Sequence, residues 1–106
     1  MNITVLTFEG CPNAEPTIQL VQQTVRELGL SSEVKQIPVN DQDEAEQLHF
    51  LGSPTVQVNG RDVEVNRRSD TASFSCRMYK TPSGNGGVPP REMIVDALLE
   101  ARRDSA

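Results

Sequence analysis

Short apolar runs alternate with longer amphipathic segments in the first half of the chain. The apolar run at residues 2–8 predicts a β-strand, and residues 12–28 predict a helix because their apolar positions recur at helical spacing: Ile18, Val21, Val25 and Leu28. A second strand is predicted at residues 34–39. The spacing of Asp41 and Glu44 matches a capping box, which predicts a short helix after that strand. The pattern therefore predicts the order βαβα.

The second half begins with the strongest local signal in the chain. Two alternating runs, residues 55–58 and 61–65, flank Asn59 and Gly60, the dipeptide preferred in a two-residue type I′ turn, and together they predict a β-hairpin. From Pro90 onward, apolar residues at helical spacing predict a C-terminal amphipathic helix: Met93, Ile94, Ala97, Leu98 and Ala101.

A long connection, at about residues 66–89, separates the hairpin from the last helix. Its middle, residues 74–79, is interpreted either as an extra edge strand or as an ordered cover over apolar surface. Its glycine-rich end, residues 84–87, is interpreted as a flexible lid or a plain loop because it lacks the residues of a phosphate-binding loop. So long a connection in a small domain is more often functional than idle. The predicted fold class is therefore α/β, in the order βαβαββα with an insertion before the C-terminal helix.

Length and charge narrow the classes of function. The 106 residues fit a single domain that spans residues 1–106. A net charge of −5 without a basic patch disfavours nucleic acid and anionic lipid as partners. No apolar stretch approaches the roughly 20 residues that span a bilayer, and the N-terminus lacks the pattern of a signal peptide. We therefore expect a cytoplasmic protein with neither a membrane nor a nucleic acid as partner.

Cys11 lies at the predicted joint between the first strand and the first helix. Helix N-termini present unpaired N–H groups and the positive end of a dipole, which favour a thiolate over a thiol. Cys11 is therefore the first candidate catalytic residue, although a buried free cysteine is also common. The only histidine, His49, is interpreted as structural because no partner acid is evident for it.

The start of the first helix and the segment Gly52-Ser53-Pro54-Thr55 resemble the thioredoxin-like superfamily, over residues 1–65 and again over about 90–102. The resemblance implies a cis proline before the third core strand, close to the reactive cysteine. It assigns the nucleophile to Cys11 and the substrate groove to Pro54, with Pro12 and Ser53 beside them.

The chain departs from that superfamily at its redox motif. The superfamily carries Cys-x-x-Cys, whereas this chain reads Cys-Pro-Asn-Ala from Cys11 to Ala14, so no local disulfide can form. Ordinary dithiol reductase activity therefore cannot be carried over from the resemblance.

A replacement for the missing thiol is suggested by the topology. The return strand of the hairpin must end at the edge of the sheet where its first strand begins, near Pro54, so the insertion leaves from the edge that carries Cys11. The insertion holds the only other cysteine, Cys76, followed by Arg77, whose cation is expected to favour a nearby thiolate and to bind substrate. A resolving role for Cys76 requires that the two thiols come into contact.

Three functions remain open from the sequence. The first is a thiol redox protein, a candidate thiol-disulfide oxidoreductase, in which Cys11 attacks a disulfide, peroxide or other oxidised substrate and Cys76 resolves the adduct. The second is soft-metal or organomercurial handling by two thiolates; a short match, Gly-Ser-Pro-Thr with a later Ser-Cys-Arg, resembles small bacterial proteins grouped with alkylmercury lyase. The third is a non-catalytic binding module. We predict no cofactor, assign no metal ligands, and expect the partner to be a protein or small-molecule thiol or disulfide.

Overall fold

The order of strands and helices follows the predicted alternation, in a computed structural model that describes residues 1–104. The fold is mixed α/β, with three α-helices, one four-stranded sheet and one two-stranded sheet within those residues. The predicted domain extends to residue 106, and its last two residues lie outside the described residues. The elements are β1 (Ile3–Thr7), α1 (Ala14–Glu27), β2 (Val34–Pro38), α2 (Gln42–Leu48), β3 (Thr55–Val58), β4 (Arg61–Asp62), β5 (Tyr79–Thr81), β6 (Gly84–Gly86) and α3 (Arg91–Asp104).

The four-stranded sheet has the order β2-β1-β3-β4, so the first strand is central. β2 runs parallel to β1, whereas β3 runs antiparallel to it, with Leu6 opposite Thr55. β4 returns antiparallel beside β3. The end of β1, from which the chain enters the Cys11 loop, therefore lies beside the start of β3, where Ser53 and Pro54 lead into the strand.

Two apolar clusters cover the two faces of this sheet. Consecutive strand residues point to opposite faces, so Val5 packs with α1 and α3, while Leu6 packs with the buried Phe50 on the other face. All five residues of β1 are buried, because both of its edges are paired and both of its faces are covered.

Local signals in the sequence correspond to observed contacts. The N-cap half of the predicted capping box forms at α2, where Asp41 Oδ1 accepts a hydrogen bond from the Glu44 N–H at 2.8 Å; the Glu44 carboxylate accepts from the Asn40 N–H, one residue before the N-cap. Asn59 and Gly60 have φ of 53° and 79°, the positive values that a type I′ turn requires, and the hairpin is confirmed. Its return strand is shorter than predicted, because β4 ends at Asp62 and the chain then enters a 3₁₀ turn at Val65–Arg67.

The insertion differs most from its predicted form. Residues 74–79 form no edge strand of the main sheet, and only an isolated parallel bridge joins Ser53 to Cys76. The glycine-rich end is neither a lid nor a plain loop, because Gly84–Gly86 is the second strand of a hairpin with Tyr79–Thr81. The fully buried Tyr79 anchors that hairpin in the main core and Phe74 packs against Phe8 and Phe50, which agrees with the interpretation of residues 74–79 as an ordered cover over apolar surface. Among residues 1–104, no helix has the length and apolar character needed to cross a membrane.

Candidate functional site

Cys11 lies in the loop that joins β1 to α1 and is half-buried. Its backbone N–H donates to the Phe8 carbonyl at 3.3 Å, and its carbonyl accepts from the Ala14 N–H at 3.3 Å. The helix begins at Ala14 rather than at Pro12, so Cys11 lies two residues before the N-cap residue Asn13. Cys11 therefore lies in the turn between the first strand and the first helix, as predicted, but the helix starts two residues later than predicted, and Pro12 is exposed outside it.

Two shallow clefts meet at the segment that precedes Cys11. The first, of about 390 Å³, is lined by Cys11 together with eight neighbours: Thr7, Phe8, Glu9, Gly10, Ala14, Gln36, Pro38 and Asn40. The second, of about 320 Å³, is also lined by three of these residues, Phe8, Glu9 and Asn40. Its other two lining residues are Val39 and Phe74. The rings of Phe8 and Phe74 meet edge to face, with their centroids 5.5 Å apart, so the insertion supplies one wall. A larger cleft of about 650 Å³ lies between the insertion and α3 and contains neither cysteine.

The peptide bond between Ser53 and Pro54 is cis, the geometry that the resemblance implied. The Ser53 Oγ accepts a hydrogen bond from the Phe8 N–H at 3.2 Å, which ties the start of β3 to the end of β1. The two residues assigned to substrate binding are not open to solvent, however, because Ser53 is only 1% exposed and Pro54 is buried. The insertion covers them: Tyr79 donates its phenolic hydrogen to the Pro54 carbonyl at 2.5 Å.

The backbone of the insertion runs beside Ser53 and uses both of its hydrogen-bonding groups. The Ser53 N–H donates to the Ser75 carbonyl at 2.8 Å, and the Ser53 carbonyl accepts from the Arg77 N–H at 3.1 Å. Gly52 permits this close approach, since a Cβ at Gly52 would lie 2.9 Å from the Arg77 Cβ, and its φ of 109° is unfavourable for other residues. The backbone at the start of β3, next to the Cys11 loop, is therefore already paired within the chain.

Arg77 holds the insertion through a buried ion pair. Its two terminal nitrogens reach the two Asp62 carboxylate oxygens at 2.7 and 2.8 Å, and one of them also reaches Glu64 at 3.3 Å. The guanidinium carbon lies 4.1 Å from the centroid of the Tyr79 ring. Burial opposes the charge of Arg77, but the hydrogen bond to Asp62 and the surrounding groups outweigh it, and the pKa of Arg77 is raised.

The predicted roles of Arg77 in binding substrate and in favouring a thiolate are corrected by this geometry. Its side chain is fully buried and turned toward Asp62 and Tyr79, so it has no surface to offer a substrate. Alternation along the segment explains the direction, because Arg77 and Tyr79 point inward while Cys76 and Met78 are exposed. Arg77 therefore positions the backbone that carries Cys76.

Both cysteines are free thiols, and Cys76 is the more exposed of the two. Cys76 is backbone-paired with Ser53, whose hydroxyl accepts from Phe8, the residue that also accepts from the Cys11 N–H. The other end of the insertion also reaches the Cys11 loop, because a Cβ at Gly87 would overlap the side chain of Asn13. The insertion thus contacts both the start of β3 and the turn that holds Cys11.

Sequence reasoning missed the acidic partners of the insertion. Asp62 and Glu64 alternate along the hairpin's return segment, two residues apart, as do Arg77 and Tyr79 in the insertion. Matching these two alternations would have suggested that the two segments pair through their side chains.

His49 has the structural role predicted for it. It ends α2 in a left-handed conformation, with φ of 56°, and its Nε2 lies 2.8 Å from the Arg68 carbonyl. Within residues 1–104, no group of three or more histidine, cysteine, aspartate or glutamate side chains is placed to hold a metal ion.

Comparisons of the chain with protein families, with curated proteins and with solved structures found no match. Its function therefore has to be inferred from its own residues. Three features bear on its chemistry: the half-buried thiol of Cys11, the exposed thiol of Cys76, and the insertion that covers Ser53 and Pro54.

Proposed function

We propose that this protein is a thioredoxin-like thiol redox protein in which Cys11 is the nucleophile and Cys76 the resolving thiol. One observation carries the proposal: the two cysteines of the chain are attached at the same end of the sheet, where β1 ends and β3 begins. Cys11 follows β1 by a short turn, and Cys76 is backbone-paired with Ser53, whose hydroxyl contacts the end of β1.

The thioredoxin-like assignment is supported by three features. The sheet has a central first strand with one parallel and one antiparallel neighbour. The peptide bond before β3 is cis at Pro54, and Cys11 lies at the first strand-to-helix connection. The superfamily's second cysteine is replaced by Ala14, so the second thiol of the proposed chemistry comes from the insertion.

The proposed reaction is a pair of thiol-disulfide exchanges. The Cys11 thiolate attacks one sulfur of a substrate disulfide; a Cys11–substrate bond forms, the substrate S–S bond breaks, and the leaving thiolate takes a proton from water. The Cys76 thiolate then attacks the Cys11 sulfur, which forms a Cys11–Cys76 bridge and releases the second substrate thiol. The substrate gains two electrons and two protons, and the protein loses two hydrogens. An external dithiol must reduce the bridge to complete a cycle.

The second step requires contact between the Cys76 and Cys11 sulfurs. A disulfide needs Cα atoms within about 7 Å, and the two cysteines are free in this structure. Any approach of Cys76 to Cys11 would shift the exposed segment 73–76 and break the hydrogen bond that its Ser75 carbonyl accepts from the Ser53 N–H, because Arg77 and Tyr79 behind it are buried in the core. The buried ion pair therefore holds in place Arg77, the residue that follows this segment.

Mass spectrometry of the intact protein tests both thiols. Reduced wild type treated with hydroxyethyl disulfide is expected to lose two hydrogens and to retain no adduct. Cys76→Ser is expected to retain a mixed disulfide on Cys11, and Cys11→Ser to form no internal bridge. If Cys11 reacts no faster than an unstructured cysteine, the proposal is wrong and the binding-module hypothesis replaces it. If wild type keeps a stable adduct, Cys76 is not the resolving thiol.

A further inference from the structure

The backbone of Ser53, which precedes β3 and lies near the Cys11 loop, is closed to an extended peptide. A peptide that adds to a sheet as an extra strand needs free backbone N–H and C=O groups on the edge that receives it. Here the N–H and C=O of Ser53 are already bonded to Ser75 and Arg77. In the reduced protein, a substrate disulfide therefore reaches Cys11 through the clefts beside the end of β2.

The two clefts on that side have the size of a site for a small molecule. Their volumes of about 390 and 320 Å³ lie at the lower end of the range for small-molecule pockets, roughly 300–1,000 Å³. Cys11 lines the first cleft, and an apolar wall of Phe8, Val39 and Phe74 lines the second. A compact ligand that reaches the Cys11 sulfur can therefore rest on apolar surface.

Apart from the Cys11 thiolate of the proposed chemistry, one residue charges the clefts. Glu9 lines both of them and is their only charged lining residue, since no lysine, arginine or histidine of residues 1–104 lines either one. Glu9 forms no ion pair within that part of the chain, whereas the neighbouring Gln36 and Asn40 are neutral. A cation bound here would meet an unpaired carboxylate, and an anion would meet repulsion with no compensating positive group.

We infer that the cleft beside Cys11 selects small cationic disulfides and that Glu9 is the residue that determines this specificity. The inference rests on the proposed thiol chemistry of Cys11 and adds the substrate class to it. With cystamine as a probe, the Cys11 thiolate attacks one sulfur and retains a cysteamine group as a mixed disulfide. The S–S bond of cystamine breaks, and the released cysteamine thiolate takes a proton from water. The ammonium group of the retained half can then lie near Glu9.

Three probe disulfides of different charge test the inference: cystamine, hydroxyethyl disulfide and dithiodiglycolate. The rate of adduct formation on Cys11 is measured in Cys76→Ser, where the adduct is trapped, and each rate is divided by that of N-acetylcysteine amide to remove differences in intrinsic reactivity. A charge pair several ångströms apart near a protein surface changes a rate about 3- to 10-fold. We expect cystamine to react fastest and dithiodiglycolate slowest, at a ratio of about 10 or more that shrinks as salt is added.

Glu9→Gln and Glu33→Gln form the matched pair of variants. Both remove one negative charge, but Glu33 is exposed before β2, at the opposite end of the sheet from Cys11. Glu9→Gln is expected to reduce the cystamine preference about 3- to 10-fold, and Glu33→Gln to leave it nearly unchanged. Equal effects of the two variants would overturn the role of Glu9 while the thiol chemistry stands. A peptide disulfide that outpaces cystamine would overturn the small-molecule class, and reaction of Cys11 with no disulfide would overturn the proposed function itself.

Discussion

Replacing Arg77 by methionine should cost more stability than any other single arginine replacement on the hairpin and insertion. The change keeps most of the side-chain volume but removes the cation between Asp62 and Glu64. Asp62 is only 1% exposed, and it would keep one hydrogen bond, which its Oδ1 accepts from the Glu64 N–H at 2.8 Å. The variant therefore leaves a buried carboxylate with no cation.

The expected magnitude follows from that unpaired charge. Removing one partner of a buried ion pair costs about 3–5 kcal/mol, because the remaining charge stays desolvated. Domains of this size are stable by about 5–15 kcal/mol, so the variant loses a large part of its stability. Each kcal/mol lowers the melting temperature of such a domain by roughly 4–8 °C, so we expect a decrease of about 12–40 °C.

Urea denaturation followed by far-ultraviolet circular dichroism measures the loss, with the slope of the transition compared to confirm that the folded state is intact. Arg61→Met is the matched control. Arg61 is on the same hairpin and pairs with Asp104 at 3.0 Å, but both side chains are about half exposed, at 52% and 51%, so its loss should cost under about 1 kcal/mol.

A second substitution separates the charge from the packing. Adding Asp62→Asn to Arg77→Met removes the buried unpaired charge, while the amide oxygen can still accept from the Glu64 N–H. We expect the double variant to recover about half of the loss or more. The reasoning is refuted if Arg77→Met costs no more than Arg61→Met, or if the double variant is less stable than Arg77→Met alone.

Three further predictions concern the same surfaces. Gly52→Ala should destabilise the protein by about 1–3 kcal/mol, because its Cβ would lie 2.9 Å from a side-chain atom of the insertion; Gly29→Ala, also at positive φ but with open space, should cost less in the same urea assay. Burial raises the pKa of Tyr79, so its ultraviolet titration should begin well above pH 10 while the fold persists, and stability should fall as pH rises past 10 because the unfolded state loses the proton first; an ordinary phenol titration of folded protein would contradict this. The hydrogen bond from Arg68 lowers the pKa of Glu100, so its stabilising effect should be present above its ordinary pKa and lost as pH falls through the lowered one; Glu100→Gln should flatten this acid dependence in urea titrations, and an unchanged profile would argue against the pair.

The insertion gives these predictions a common physical basis. It covers Ser53 and Pro54, supplies Phe74 to one cleft and carries Cys76 beside the start of β3. The contacts that stabilise the insertion are therefore also the contacts that hold it beside the Cys11 loop. A variant such as Arg77→Met should therefore lower the stability of the fold and loosen the segment that carries Cys76.

The sequence by itself determined the elements of the main sheet. Strand alternation, helical periodicity, the Asn59-Gly60 turn and the capping box of Asp41 and Glu44 are local patterns, so the backbone they favour does not depend on distant residues. The same patterns indicated that Cys11 lies at the first strand-to-helix joint. They also indicated that the insertion leaves from the edge of the sheet near Cys11, since a hairpin brings its chain back to the end from which it started.

Only the tertiary structure decided how the insertion is used. Arg77 could face solvent, a thiolate or the core on the evidence of its neighbours in the chain, and it faces the core because Asp62 and Glu64 compensate its charge there. Pairing of the insertion with Ser53 then buries Pro54, occupies the backbone at the start of β3 and leaves a cleft that Glu9 and Cys11 both line. These outcomes depend on contacts between residues far apart in the chain, and buried charges and backbone groups must find partners wherever the fold provides them.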